Sequence, residues 1–143
     1  GLSYYFAHHL LQIFEITDEG LERQLLTFAG IATVCDIVDL LGENRALVQM
    51  GLAEIGKTEN IGLRVLIEEA GLSDKVISEY HIGFIIGPCI NATGRLESGR
   101  LAVELFCTQN EKEAREKARH LVMLNAERKQ LTEEAVISNI CKR

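Results

Sequence analysis

The chain has 143 residues, 47% of them hydrophobic, and a formal net charge of −6. That length gives one domain with a real core, and that charge argues against a coat of positive potential, so nonspecific nucleic-acid or membrane binding is not its default. No apolar run is long enough to span a bilayer and no signal-peptide pattern appears, while Cys35, Cys89, Cys107 and Cys141 fit neither a C-x-x-C pair nor zinc-finger spacing; they read as reduced, mostly buried thiols of a cytoplasmic protein.

The charge is uneven. Residues 1–110 carry seven Lys and Arg against fifteen Asp and Glu, whereas residues 111–143 carry eight against six. The C-terminal end is therefore the better neighbour for a polyanion. The start at Gly1 without a methionine and the stop at Arg143 inside a helical pattern read as a piece of something longer.

In chain order, Leu2 to Phe14 reads as a helix with a possible Ser3 cap and an apolar face of Tyr5, Phe6, Leu10 and Phe14. His8 and His9 point about a third of a turn apart on such a helix, which suits partly exposed histidines better than a shared metal ion. Thr17 and Asp18 offer a cap for the next helix, carried by Leu21, Leu25, Phe28 and Ala32. It runs into IATVCDIVDLL, Ile31 to Leu41, an apolar run broken by Asp36 and Asp39. A carboxylate in such a run is costly to bury unpaired, so it either turns outward, is satisfied by backbone amides at a helix end, or meets a cation. Asp39, beside Gly42, Glu43 and Asn44, suits a surface turn.

A helix from Glu43 to Ile55 is expected to face Ala46, Leu47, Met50 and Ile55 inward. Asn60 caps Ile61 to Ala70, and Gly71 ends that helix. Ser78 caps a short helix leading to the stretch GPCINATGR, Gly87 to Arg95, which holds the only proline of the chain. Pro88 removes a donor and disfavours a helical Gly87, predicting a break or kink. Gly94 permits close approach to the main chain, Asn91 both donates and accepts, and Arg95 carries a planar fork suited to phosphate. A plain helix–turn–helix corner with a solvated arginine explains the same residues.

Ser98 is expected to cap a helix to Cys107 that buries Leu101, Ala102, Leu105 and Phe106. Asn110 with Glu113 resembles a capping box, and no Gly or Pro follows before Arg143, which predicts roughly 32 helical residues and about 48 Å of helix. Ala114, Ala118, Leu121, Asn125, Arg128, Thr132 and Ala135 share one stripe. With Asn125 and Arg128 in its middle, that stripe either turns a polar patch to water or faces a cleft. No clear strand appears, so the predicted fold is mainly α.

Two stretches at a particular spacing, TVCDIVDLLGENRALVQMGL from Thr33 and GFIIGPCINATGR from Gly83, resemble the RecJ family of single-strand-specific 5′→3′ DNA exonucleases, within the DHH phosphoesterase superfamily. NAERK, Asn125 to Lys129, is similar to that family's long helix joining its DHH and DHHA1 domains. GLSYYFAHHLL at the start is similar to the helix after the family's Asp-His-His motif. The resemblance covers nearly the whole chain and implies a helical C-terminal portion of an α/β DHH domain over residues 1–110. It further implies a connecting helix toward a DHHA1 domain over 111–143.

By position, the resemblance implies that Asp36 is a ligand of catalytic Mn²⁺ or Mg²⁺. It also implies that Asn91, Gly94 and Arg95 line the substrate cleft against phosphates of single-stranded DNA, with Asn125 and Arg128 as weaker candidates. Cys89 stands where the motif usually has arginine, and Asp39 where proline is common. The aspartate motifs and the Asp-His-His motif of the family are missing from the sequence, so the chain itself is expected to be inactive although its parent would serve DNA repair and recombination. The alternatives are a non-catalytic helical interaction module, or a related DHH phosphodiesterase acting on short oligonucleotides or cyclic dinucleotides.

Overall fold

The structure, a computed structural model, describes the backbone of residues 1–92 and 97–140 and the side chains of 1–92 and 99–134. Among the described residues there is no strand, and the mainly α expectation holds. The helices are α1 (Leu2–Ile13), α2 (Glu19–Cys35), α3 (Gly42–Ile55), α4 (Ile61–Glu69), the single turn α5 (Glu79–His81), α6 (Gly87–Asn91), α7 (Glu97–Cys107) and α8 (Glu111–Ile140), with a π-helical turn over Ile82–Ile86. They gather into two compact units, one of residues 1–60 with 72–87 and the other of residues 61–71 with 88–143.

In the first unit, Asp18 caps α2 as its sequence suggests, its carboxylate accepting from the Leu21 N–H at 2.9 Å. The inward face of α2 differs from the expected one: Leu26, Thr27, Ala29, Gly30, Ile31 and Thr33 are buried, while Leu21 and Ala32 are exposed. The cause is a backbone-to-backbone crossing of α2 and α3. A Cβ added at Gly51 would lie 2.8 Å from the Leu26 carbonyl oxygen and 3.0 Å from the Gly30 Cα. The two glycines, rather than the largest side chains, choose the faces. In α3 the crossing buries Leu47, Val48, Gly51 and Ile55 and leaves Ala46 and Met50 outside. On α1 only Leu11 is buried; Tyr5, Phe6, Leu10 and Phe14 are exposed, so its apolar face is uncovered among the described residues. That helix starts at Leu2, which puts Ser3 inside it rather than at its cap.

The expected break at Pro88 does not occur. The helical span runs from α5 through the π turn into α6, and the Gly87 N–H bonds to the Ile82 carbonyl, five residues back. A proline ring normally clashes with the carbonyl four residues earlier; the wider turn shifts the hydrogen-bond register and relieves that clash.

The second unit packs α4, α7 and α8 on one another around Leu63, Val65, Leu66, Ala102, Leu105, Ala114, Ala118 and Leu121. Gly62 allows α4 to reach the backbone of α7, since a Cβ there would run into the Leu105 carbonyl and lie 3.1 Å from the Phe106 Cα. α7 begins at Glu97, one residue before the expected Ser98 cap. Asn110 does cap α8, accepting from Lys112 and Glu113 N–H at 2.9 and 3.3 Å. Its capping box is incomplete, because the Glu113 carboxylate takes the Thr108 hydroxyl at 2.8 Å instead.

α8 is 30 residues long. A clamp of ion pairs fixes its first half: Arg115 donates to Glu69, Glu68 and Glu111 at 3.0, 3.0 and 3.1 Å, Arg119 to Glu69 at 3.0 Å, and Lys117 to Glu104 of α7 at 2.7 Å. The Arg119 and Arg115 guanidiniums hold the Glu69 carboxyl below the usual carboxylate range. The Arg115 and Arg64 guanidiniums do the same for Glu111, and the Lys117 ammonium followed by Arg100 for Glu104. Beyond Asn125, every described side chain through Glu134 is exposed.

Candidate functional site

Asp36 closes α2 as its C-cap, its N–H bonded to the Ala32 carbonyl at 2.9 Å. Its carboxylate is exposed, and among the described residues it accepts no backbone amide and forms no ion pair. It faces outward rather than being satisfied by backbone amides, and the apolar run does not bury it because the helix has ended. The next residue makes the chain turn away: Ile37 adopts a positive φ of 53° and is 92% exposed. A β-branched residue rarely occupies that region, which costs about 1–3 kcal/mol at such a position. An outlier beside a free carboxylate is a feature that functional sites share.

The end of α2 lies against the π turn. A Cβ on Gly87 would stand 2.6 Å from the Cys35 Sγ, and one on Gly83 would stand 3.6 Å from a Val34 methyl. So the two stretches singled out in the sequence meet: Cys35, just before Asp36, packs on Gly87, the first residue of the corner. Burial pushes the Cys35 thiol up. Ser78 steadies the far end of the span, where His81 Nδ1 lies 3.1 Å from the Ser78 N–H and 2.9 Å from its hydroxyl.

Asn91, at the end of α6, is exposed. Thr93, Gly94 and Arg95 lie outside the described residues. Two residues before Asn91, Cys89 is buried and receives a hydrogen bond from Asn125 Nδ2 of α8 at 3.5 Å. Burial pushes the Cys89 thiol up, while the Asn125 amide and the charges of Lys129 and Arg128 pull it the other way. Arg128 itself is exposed. His8 sits between Gln12 and Glu22, with its Nε2 3.1 Å from the Gln12 amide and its Nδ1 3.6 Å from the Glu22 carboxylate.

The sequence singles out Asp36, Asn91 and Asn125 as candidates but shows neither contact beside them. Cys35 on Gly87 was readable only as a glycine flanking a proline. The pairing of Cys89 with Asn125 leaves no periodic signature, since 36 residues separate them.

A hard divalent cation wants six or more oxygen ligands. Asp36 offers one carboxylate, and among the described residues no group of three or more His, Cys, Asp or Glu could hold a metal ion. The described residues therefore do not make up a metal site on their own. Among them, too, no helix is long and apolar enough to cross a membrane.

No family model matches the chain. Its sequence is 36% identical over 140 residues to the single-stranded-DNA-specific exonuclease RecJ of Bacillus subtilis, covering 95% of this chain and 17% of that protein. It is 38% identical over 112 residues to the RecJ exonuclease of Thermus thermophilus, covering 78% of this chain and 16% of that protein. The crystal structure of Thermus thermophilus RecJ in complex with Mg²⁺ superposes with a TM-score of 0.77 at 33% identity, over 94% of this chain and 21% of that one. Its complex with Mn²⁺ gives the same TM-score and identity over 20% of its chain. The chain thus spans about a fifth or less of the length of these relatives.

Proposed function

We propose, taking as premise that this chain belongs to the RecJ family, that it is part of a metal-dependent exonuclease hydrolysing phosphodiester bonds of single-stranded DNA in the 5′→3′ direction. The observation that carries this reading is agreement in both sequence and fold over nearly the whole chain, 36% identity across 95% of it and a TM-score of 0.77 across 94%. In this reading Asp36 gives one carboxylate to a Mn²⁺ or Mg²⁺ site completed by residues outside the chain. Its exposure and its fixed position at the end of α2 support that role. Residues 1–110 then form the helical C-terminal part of the DHH domain, and residues 111–143 the connection to a DHHA1 domain.

Asn91 and Arg95, with Gly94 allowing close approach, hold phosphate oxygens of the strand. An amide and an arginine fork offer charge-assisted and neutral donors in a fixed geometry. Arg128, exposed on α8, is a further phosphate contact, whereas the burial of Asn125 leaves it to act indirectly. DNA repair and recombination are the processes such an activity would serve.

Incubated with 5′-phosphorylated single strands and Mn²⁺, the 143-residue chain is expected to leave them intact, since the resemblance gives it one metal-ligand carboxylate, Asp36, and no group of three or more candidate ligands gathers among the described residues. In the longer enzyme, Asp36→Ala abolishes turnover and excess Mn²⁺ restores part of it. Arg95→Ala instead weakens substrate handling by about 1.5–3 kcal/mol, with no rescue by metal and little by Arg95→Lys. Normal turnover of Asp36→Ala at ordinary metal concentrations would overturn the metal role. Unchanged kinetics of Arg95→Ala would reduce the corner to a turn.

A further inference from the structure

We propose that Asn125 is a positioning residue: its buried amide pins the helical turn that presents Asn91 onto α8, through the Cys89 thiol. The inference rests on the nuclease reading only in the role it gives Asn91. Asn125 is 5% exposed and Cys89 2%, so neither side chain is placed to touch a strand of DNA. Their contact, 3.5 Å from Nδ2 to Sγ, is a hydrogen bond between α6 and α8. Asn91 follows two residues later and is exposed.

An amide is an uneconomical choice for this position unless its hydrogen bonding matters. Asn125 continues a stripe in which Ala114, Ala118 and Leu121 are fully buried and apolar. A leucine of similar size would suit the stripe and would leave no polar atom unsatisfied. Instead, Asn125 Oδ1 is buried and has no hydrogen-bond partner among the described residues. Turning the amide over does not cure this, because one thiol can meet only one of its two ends. A buried polar group left half-satisfied lowers stability; replacing it by an apolar group removes that cost, and the Cys89 thiol left behind loses little because it is only a weak hydrogen-bonding group. Space filling therefore does not explain asparagine here. A directional hold on Cys89 does: the amide fixes the rotation and height of α6 on α8, which packing by a smooth side chain would leave loose.

The test separates local order from global stability in the 143-residue chain. Asn125→Leu is expected to melt at the same or a higher temperature than the parent. Amide hydrogen exchange across residues 87–92 should nevertheless speed up at least tenfold, with α4 and α7 unchanged. Alkylation of Cys89, followed by mass spectrometry of its peptide, should quicken in parallel. Cys89→Ala should loosen the same residues, and Cys89→Ser, which keeps a hydroxyl partner for the amide, should restore their protection. Unchanged exchange over 87–92 in Asn125→Leu overturns the proposal. So does an increase shared equally by α4 and α7, which would mark a general loss of stability. Should Asn125→Leu fail to fold, Cys89→Ala decides, and wild-type exchange in that variant refutes the pin. These readouts need no activity. If 87–92 loosens while the longer enzyme turns over normally, the pin stands and the role given to Asn91 fails.

Discussion

Replacing Gly87 by alanine probes the joint between the end of α2 and the corner. The new Cβ would lie 2.6 Å from Cys35 Sγ and 2.9 Å from the Ile82 carbonyl oxygen. Non-bonded carbon atoms rest about 3.5–4.0 Å apart, so the contact to the sulfur is short by roughly 1 Å and that to the oxygen by about half as much. The two obstacles differ in kind. The sulfur can swing on one torsion, but the Ile82 oxygen accepts the N–H of residue 87 itself and moves only by straining that hydrogen bond. Overpacking of this sort costs about 1–3 kcal/mol. We expect about 2 kcal/mol, or a fall of about 6 °C in Tm at roughly 3 °C per kcal/mol for a chain of this size. The assay is a four-protein cycle of urea unfolding followed by circular dichroism: parent, Gly87→Ala, Cys35→Ala and the double variant. Removing the sulfur relieves one of the two clashes, because the Cys35 Cβ sits at an ordinary 3.8 Å. The cycle should therefore show a favourable coupling above about 0.5 kcal/mol. Additive effects, or a Gly87→Ala variant as stable as the parent, would refute a direct Cys35–Gly87 contact and with it the fixed placement of Asp36.

Gly62→Ala should be more damaging than Gly87→Ala, at about 3 kcal/mol or more, because the three atoms nearest the new Cβ are all backbone of α7. Gly56→Ala, with nothing within 4 Å and an ordinary φ of −70°, is the matched control and should be neutral or slightly stabilising by thermal melts. Acid should weaken the fold through the α4–α8 clamp. Glu69 and Glu111 have folded pKa values below their unfolded ones, so their contribution is complete above the usual carboxylate value of about 4.5 and is lost as pH falls through the lowered values. Arg115→Ala should therefore flatten the loss of Tm below about pH 4.5, and equal slopes in the two proteins would discount the clamp.

The helical class was legible because the chain punctuates itself: Asp18 and Asn110 cap where their side chains say they should, and Gly71, at a φ of 73°, stops the segment before it. Which face each helix buries was less legible. Apolar periodicity weights large side chains, yet α2 turned toward α3 where Gly30 meets Gly51, and α4 toward α7 at Gly62. Close backbone contact favours the smallest residue, which a hydrophobicity pattern counts as almost nothing. Tyr5, Phe6 and Phe14 exposed on α1 show the opposite error, an apolar face with no surface among the described residues to bury it. At the candidate site, Asp36 and Asn91 stood out as polar residues in apolar company. The π turn that carries the chain through Pro88 did not, because proline's local rule assumes an α-helical register. The contact beside Asp36 in the first unit, Cys35 on Gly87, and the one beside Asn91 in the second, Cys89 with Asn125, are each non-local and involve a thiol, whose packing leaves no pattern in sequence.

α8 behaves as a cantilever. Ion pairs from Arg115, Lys117 and Arg119 and the buried Ala114, Ala118 and Leu121 make its fixed base, and the described residues after Asn125 stand clear. The nine described residues from Ala126 to Glu134 give an overhang of about 13 Å at 1.5 Å per residue. A loaded beam bends most sharply at its support, and here the support is Asn125. A sideways pull on the overhang is thereby delivered to the one amide that grips Cys89, two residues from Asn91.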